Sequence, residues 1–163
     1  MIKSPYQNID TQALLIDRER MLDNLRWMQE KADRWGVNLR PHTKTHKMPE
    51  LAKLQMEQGA CGITVAKVGE AEVMAAHGLT DIFIANEIVG GQKWRRLAKL
   101  SKEVRVLFGV DSPEAVRGIE QSLRKSGPKR WSASKSRPAR TDPVWSAKRL
   151  LMPFWLPLPM HPM

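Results

Sequence analysis

Arg40-Pro41-His42-Thr43-Lys44-Thr45-His46-Lys47 places five cationic or potentially cationic side chains in eight residues, directly after the apolar Val37 and Leu39. In an extended strand alternate side chains share a face. Arg40, His42, Lys44 and His46 are therefore expected on one face, with Pro41, Thr43 and Thr45 on the other. A lysine crowded by other cations holds its proton less tightly, and a neutral amine is the form that attacks carbonyls and makes Schiff bases. Taken alone, a basic run is more often a solvated face or a phosphate-contacting patch. Two details favour a site: the run leaves a strand between two helix-like segments, and its spacing puts every cation but Lys47 on one side.

Working outward, the chain alternates between two periods. Ala13-Leu14-Leu15-Ile16 reads as a short buried strand ending at Asp17. Arg18 to Trp35 carries Met21, Leu22, Leu25, Met28 and Ala32 at helical spacing, with Gly36 placed to stop the helix. Val37 to Lys44 is the second strand, whose ladder should end early because Pro41 lacks a donor. Pro49 opens a helix reaching Gly59. Gly62 to Ala66, Asp81 to Ala85 and Val104 to Val110 read as further strands. Helices follow over Val68 to His77, Gly91 to Glu103, and from a Ser112-Pro113-Glu114 cap to about Lys125. Five strand–helix units predict a parallel sheet covered by helices, either the first five-eighths of a barrel or a doubly wound sheet. No Gly-rich phosphate fingerprint follows the first strand, which weighs against a dinucleotide-binding version.

A chain of 163 residues can enclose one sizeable core, but a complete (β/α)8 barrel needs at least roughly 200 residues. The formal charge of +10 is concentrated at the C-terminal end, where seven basic residues past Gly127 face a single Asp142. The same stretch holds seven of the 11 prolines and three of the 6 tryptophans, with no run of either period. The expected organisation is an α/β domain over 1–127 and a Pro/Arg/Trp-rich irregular tail over 128–163. Cys61 is the only cysteine, so no internal disulfide is possible. Met1 to Asp10 has no apolar run of the signal-peptide kind. Leu150 to Met160 is too short to span a bilayer and is broken by prolines. A cytoplasmic protein is expected, with neither membrane nor nucleic acid as partner.

Other candidate residues favour ordinary roles. His42 and His46 lack an acidic neighbour in sequence and are read as lining the strand face or orienting a ring, not as metal ligands. Glu70 and Glu72 face apart at i and i+2 and read as solvated. Cys61 reads as a small core residue, Trp27 and Trp35 as packing the first helix, and Trp94 with Arg95 and Arg96 as a solvated helix face. Basic residues interleaved with Trp131, Trp145 and Trp155 leave a nucleic-acid-binding tail as an alternative.

The octapeptide resembles the cofactor-lysine motif of the D-threonine aldolase and D-serine dehydratase-like enzymes. These are fold-type III pyridoxal phosphate (PLP) enzymes related to the alanine racemase N-terminal barrel. Ala13 to Asp17, Gly62 to Ala66 and Gly69 to Met74 resemble its first strand, third strand and following helix, although Gln12 stands where proline is common. The resemblance covers roughly residues 9 to 126 and implies a partial (β/α)8 barrel of about five units. It implies a PLP-dependent lyase acting on β-hydroxy-D-amino acids through a Lys44 Schiff base at the mouth of strand two. His42 and Arg40 join Lys44 as expected cofactor-binding residues. A divalent metal near the substrate hydroxyl and a homodimer are implied for full-length relatives, with the metal ligands in a C-terminal β-domain expected to be absent here. The truncated chain is accordingly expected to be inactive, leaving a non-catalytic PLP-binding fragment as a second alternative.

The tail stands where the family's sixth strand is expected. Read two bases later with permitted codons, Arg130 to Trp145 spells Val-Val-Gly-Val-Glu-Ile-Ala-Pro-Gly-Thr-Asn-Arg-Ser-Gly-Val, which resembles that strand. Residues 128–163 are therefore expected to be out-of-frame peptide. Sequencing the encoding DNA tests this, and the idea fails if no shifted frame continues the family sequence.

Overall fold

The computed structural model describes residues 6–126 and 131–135. The chain divides at Asn38 into two compact units. The first is dominated by α1 (Arg18–Arg34), which both ends of its own sequence delimit. Asp17 accepts from the Arg20 amide at 3.0 Å, satisfying a donor that the first turn leaves open. At the other end Gly36 adopts φ +64°, and the amides of Gly36 and Val37 bond back to Asp33 and Ala32, the two bonds of a Schellman stop. Only Gln29 and Ala32 of α1 are buried. The expected strand at Ala13 to Ile16 does not form; Leu14 is 99 % exposed. Apolar character alone cannot make a strand, because an extended backbone needs a neighbour for its N–H and C=O groups.

In the second unit β1 (Ile63–Val65), β2 (Asp81–Ile84), β3 (Arg105–Val110) and β4 (Trp131–Lys135) pair in parallel, in that order across the sheet. Between and before them run α2 (Pro49–Glu57), α3 (Val68–Ala76), α4 (Gly91–Leu100) and α5 (Pro113–Ser126). The start of α5 is held as expected, Ser112 Oγ accepting from the Ala115 amide at 3.3 Å. The strand β4 lies inside the stretch read as irregular, and its backbone takes the sixth-strand place beside β3. The remainder of 128–163, and with it most of the out-of-frame reading, lies outside the described residues.

Two rows of the register build the core: Ile63, Ile82 and Val106, then Val65, Ile84 and Phe108. All six are 0 % exposed and cluster with Ala52, Ala71, Met74, Leu97 and Ile119 from the four helices. Each such side chain is worth about 1.5–3 kcal/mol when buried, so the helix-facing side holds these short strands together. The alternate row is different: Phe83 and Leu107 are only half-buried. Helices on one face and strands in consecutive order are the signature of a (β/α)8 wall. A doubly wound sheet would cover both faces and reverse its strand order. The fold is a partial barrel.

Candidate functional site

The segment carrying the basic octapeptide runs beside β1 without becoming a regular strand. Leu39 O accepts from the Cys61 amide at 2.9 Å, Pro41 O accepts from the Thr64 amide at 2.7 Å, and His42 bridges Thr64 in parallel. Pro41 can donate nothing to a ladder, and side chains supply the remaining links. Thr43, 1 % exposed, donates its hydroxyl to Thr64 O at 3.1 Å. The chain then coils into a 3-10 turn over Thr43–Thr45, level with the C-terminal end of β1. This turn ends the period-two alternation, so the expected common face of Arg40, His42, Lys44 and His46 is not formed.

The cations of the motif go to different places. Arg40 points to the N-terminal ends of the strands: Nη1 donates to Asp81 Oδ1 at 2.7 Å and to Asp81 O at 3.3 Å. It is thereby committed away from the turn and does not stand beside Lys44 as expected. Lys47 pairs with Glu70 at 3.8 Å. His46 is turned inward toward Gln55, its Nδ1 accepting from the Met48 amide at 3.0 Å, and burial lowers its pKa. His42 Nδ1 accepts from the Lys44 amide at 3.2 Å. Burial, then the neighbouring Lys44 ammonium, lower the His42 imidazole below its ordinary value, against an opposing pull from Glu70. A neutral imidazole that accepts at Nδ1 carries its proton at Nε2. Lys44 itself is exposed and makes no ion pair to a described residue. Of the motif's lysines and arginine, Lys44 is thus the uncommitted primary amine, flanked by a neutral imidazole, at the C-terminal mouth of a parallel sheet. In barrels that mouth is where chemistry is placed.

Residues 16–133 match the model of the alanine racemase N-terminal domain. The chain belongs to that family. The family is one of fold-type III, PLP-dependent enzymes. A D-threonine aldolase from Arthrobacter sp is 40 % identical over 123 residues, covering 76 % of this chain and 32 % of the aldolase. A D-threo-3-hydroxyaspartate dehydratase from Delftia sp. is 38 % identical over 119 residues, covering 73 % of this chain and 31 % of that enzyme. Among solved structures, the D-threonine aldolase of Filomicrobium marinum superposes with a TM-score of 0.74 at 37 % identity, over 77 % of this chain and 34 % of that one. The chain spans about a third of the length of the curated relatives it matches.

Within this family domain several expectations need correction. Cys61 is exposed and is no core residue. Trp27 and Trp35 are 56 % and 66 % exposed, with Lys31 4.8 Å from each ring. Trp94 is not a solvated face residue. Its indole donates to Ile88 O at 2.9 Å and its ring packs on the core. Glu72 does lie at the surface, where its hydrogen bond and ion pair with Arg96 lower its pKa. Glu70 does not: its side chain is only 11 % exposed. The signal that would have found it is its place as third residue of α3, where a glutamate reaches back to an open amide. Among the described residues no three His, Cys, Asp or Glu side chains gather as a metal-holding group. No described helix is long and apolar enough to cross a membrane.

Proposed function

We propose that this chain is the lysine-bearing portion of a PLP-dependent lyase acting on β-hydroxy-D-amino acids, of the D-threonine aldolase or D-serine dehydratase type. Lys44 is the amine that holds the cofactor. The observation that carries this reading is that, of the motif's lysines and arginine, Lys44 alone is left without a carboxylate partner among the described residues, at the mouth of the sheet. An amine so placed fits the aldehyde end of PLP. When bound, PLP supplies an electron sink that accommodates negative charge at a substrate Cα. This chain's residues present and orient. The Thr43 hydroxyl anchors the turn to Thr64, and His42 fixes the Lys44 backbone while offering an Nε2 donor beside it. Arg40 is withdrawn from the cofactor-binding set because Asp81 holds it at the other end of the strands. A divalent metal at the substrate hydroxyl, a homodimeric full-length protein and a cytoplasmic location complete the reading; none of the described residues is assigned to the metal.

The test is borohydride trapping after incubation with PLP, followed by peptide mapping. The cofactor mass is expected on the peptide containing Lys44 in wild type and nowhere specific in Lys44→Ala. Equal labelling of both proteins would refute the assignment.

A further inference from the structure

The acidic residue that the helical spacing consigned to solvent touches both ends of the Lys44 neighbourhood. Glu70 is the third residue of α3. Its Oε2 accepts from the Ala66 amide at 2.9 Å, in the connection that leaves β1. Its Oε1 lies 3.8 Å from Lys47 Nζ. Lys47 is the residue at which the turn closes: its amide donates to Thr43 O at 2.7 Å, and it sits at φ +53°. That left-handed conformation is uncommon for a residue with a side chain and persists only where the surroundings over-determine it. Glu70, Lys47, Lys67 and Gly69 also line a cavity of about 370 Å³, so the carboxylate borders open space next to the turn.

We propose that Glu70 is a positioning residue that sets the Lys44 turn against the C-terminal end of β1, through the Ala66 amide and Lys47. This deepens the reading of Lys44 as the cofactor-holding amine and rests on it. The two contacts differ in weight. Lys47 is 62 % exposed, and pairs with exposed partners contribute little. The amide bond to a shielded carboxylate is the stronger link. A glutamine at 70 keeps an acceptor for Ala66 and gives up the charge, whereas alanine gives up both.

The experiment measures the PLP concentration that half-saturates borohydride trapping at Lys44. Trapping at exposed Lys99 is the internal control, and helix content and melting midpoint are the fold controls. Glu70→Ala is expected to raise that concentration about tenfold, the effect of losing one hydrogen bond to a charged acceptor. Trapping at Lys99 should stay unchanged, and Glu70→Gln should recover most of the loss. Wild-type behaviour of Glu70→Ala at Lys44 would overturn the proposal while leaving Lys44 assigned. If wild type itself fails to label Lys44, the underlying reading falls, and amide exchange decides the positioning. Faster exchange at Ala66 and Lys47 in Glu70→Ala upholds it; unchanged exchange overturns it. Should Glu70→Ala not fold, Glu70→Met, which keeps the length of the side chain but has no carboxylate to accept from Ala66, takes its place in the exchange measurement with the same two outcomes.

Discussion

A Cβ at Gly62 would meet Arg40 Nη1 at 2.1 Å and the Asp81 carbonyl at 2.8 Å, and the backbone there holds φ +153°. Glycine is what lets the guanidinium cross β1 to reach Asp81, whose second oxygen binds Arg105 at 2.5 Å. Arg40 thus ties its own segment to the starts of β1, β2 and β3 where Pro41 interrupts the ladder. Gly62→Ala is expected to destabilise by about 1–3 kcal/mol, the ordinary cost of overpacking. Arg40→Ala should cost about 2 kcal/mol, since Asp81 keeps Arg105. The double variant should cost less than the sum, because removing the guanidinium clears one of the two clashes. Denaturant melts of the three proteins check all of this. The same scale holds a pH effect. His42 and His46 both titrate below their ordinary value of about 6.5. Above roughly pH 7 both are neutral folded or unfolded and contribute no slope. As pH falls through about 6.5 the unfolded chain binds protons that the native chain refuses, so stability falls. The melting midpoint is expected to be lower at pH 5.5 than at 7.5. The drop should shrink in His42→Gln/His46→Gln; an undiminished drop would assign it elsewhere. Glu72, lowered by Arg96, acts only below this window.

Between elements, the contact of α4 with α5 is decided by one aromatic ring. A Cβ at Gly118 would stand 2.1 Å from Trp94 Cη2 and 2.2 Å from its Cζ3. The ring cannot easily retreat, because its Nε1 is committed to Ile88 O. Two effects compete in Gly118→Ala. Helix propensity favours alanine by about 1 kcal/mol, and overpacking against a pinned ring costs about 1–3 kcal/mol. Overpacking should win, giving net destabilisation in a thermal melt. Combining it with Trp94→Leu should restore the propensity gain relative to Trp94→Leu alone. Sequence spacing identified both helices but not this contact. The basic side chains of Arg95 and Arg96 beside Trp94 suggested a wet face, and only the packing shows the indole turned inward. The motif strand failed for a related reason. Alternation is a property of extended backbone, and Thr43–Thr45 is a 3-10 turn.

At the scale of the molecule, protection should follow the core. Of α1's 17 residues only Gln29 and Ala32 are buried, whereas β2 and β3 lie in the middle of the sheet with a buried helix-facing row. Segments with few buried contacts open at low free-energy cost. Amide exchange is therefore expected to be much faster in α1 than at Ile82, Ile84, Val106 and Phe108; similar rates would show the chain to unfold as one unit. Local chemistry was legible in the letters themselves: helix stops at glycine, the Pro41 defect, the Ser112 cap, and a lysine whose motif resembles a PLP-enzyme family. These depend on neighbours in sequence, which a linear reading supplies. The diversion of Arg40 to Asp81 and the recruitment of Glu70 to the Lys44 turn depend on which side chains meet across distances of tens of residues. Only the folded chain brings those partners together, so only the tertiary structure decided them.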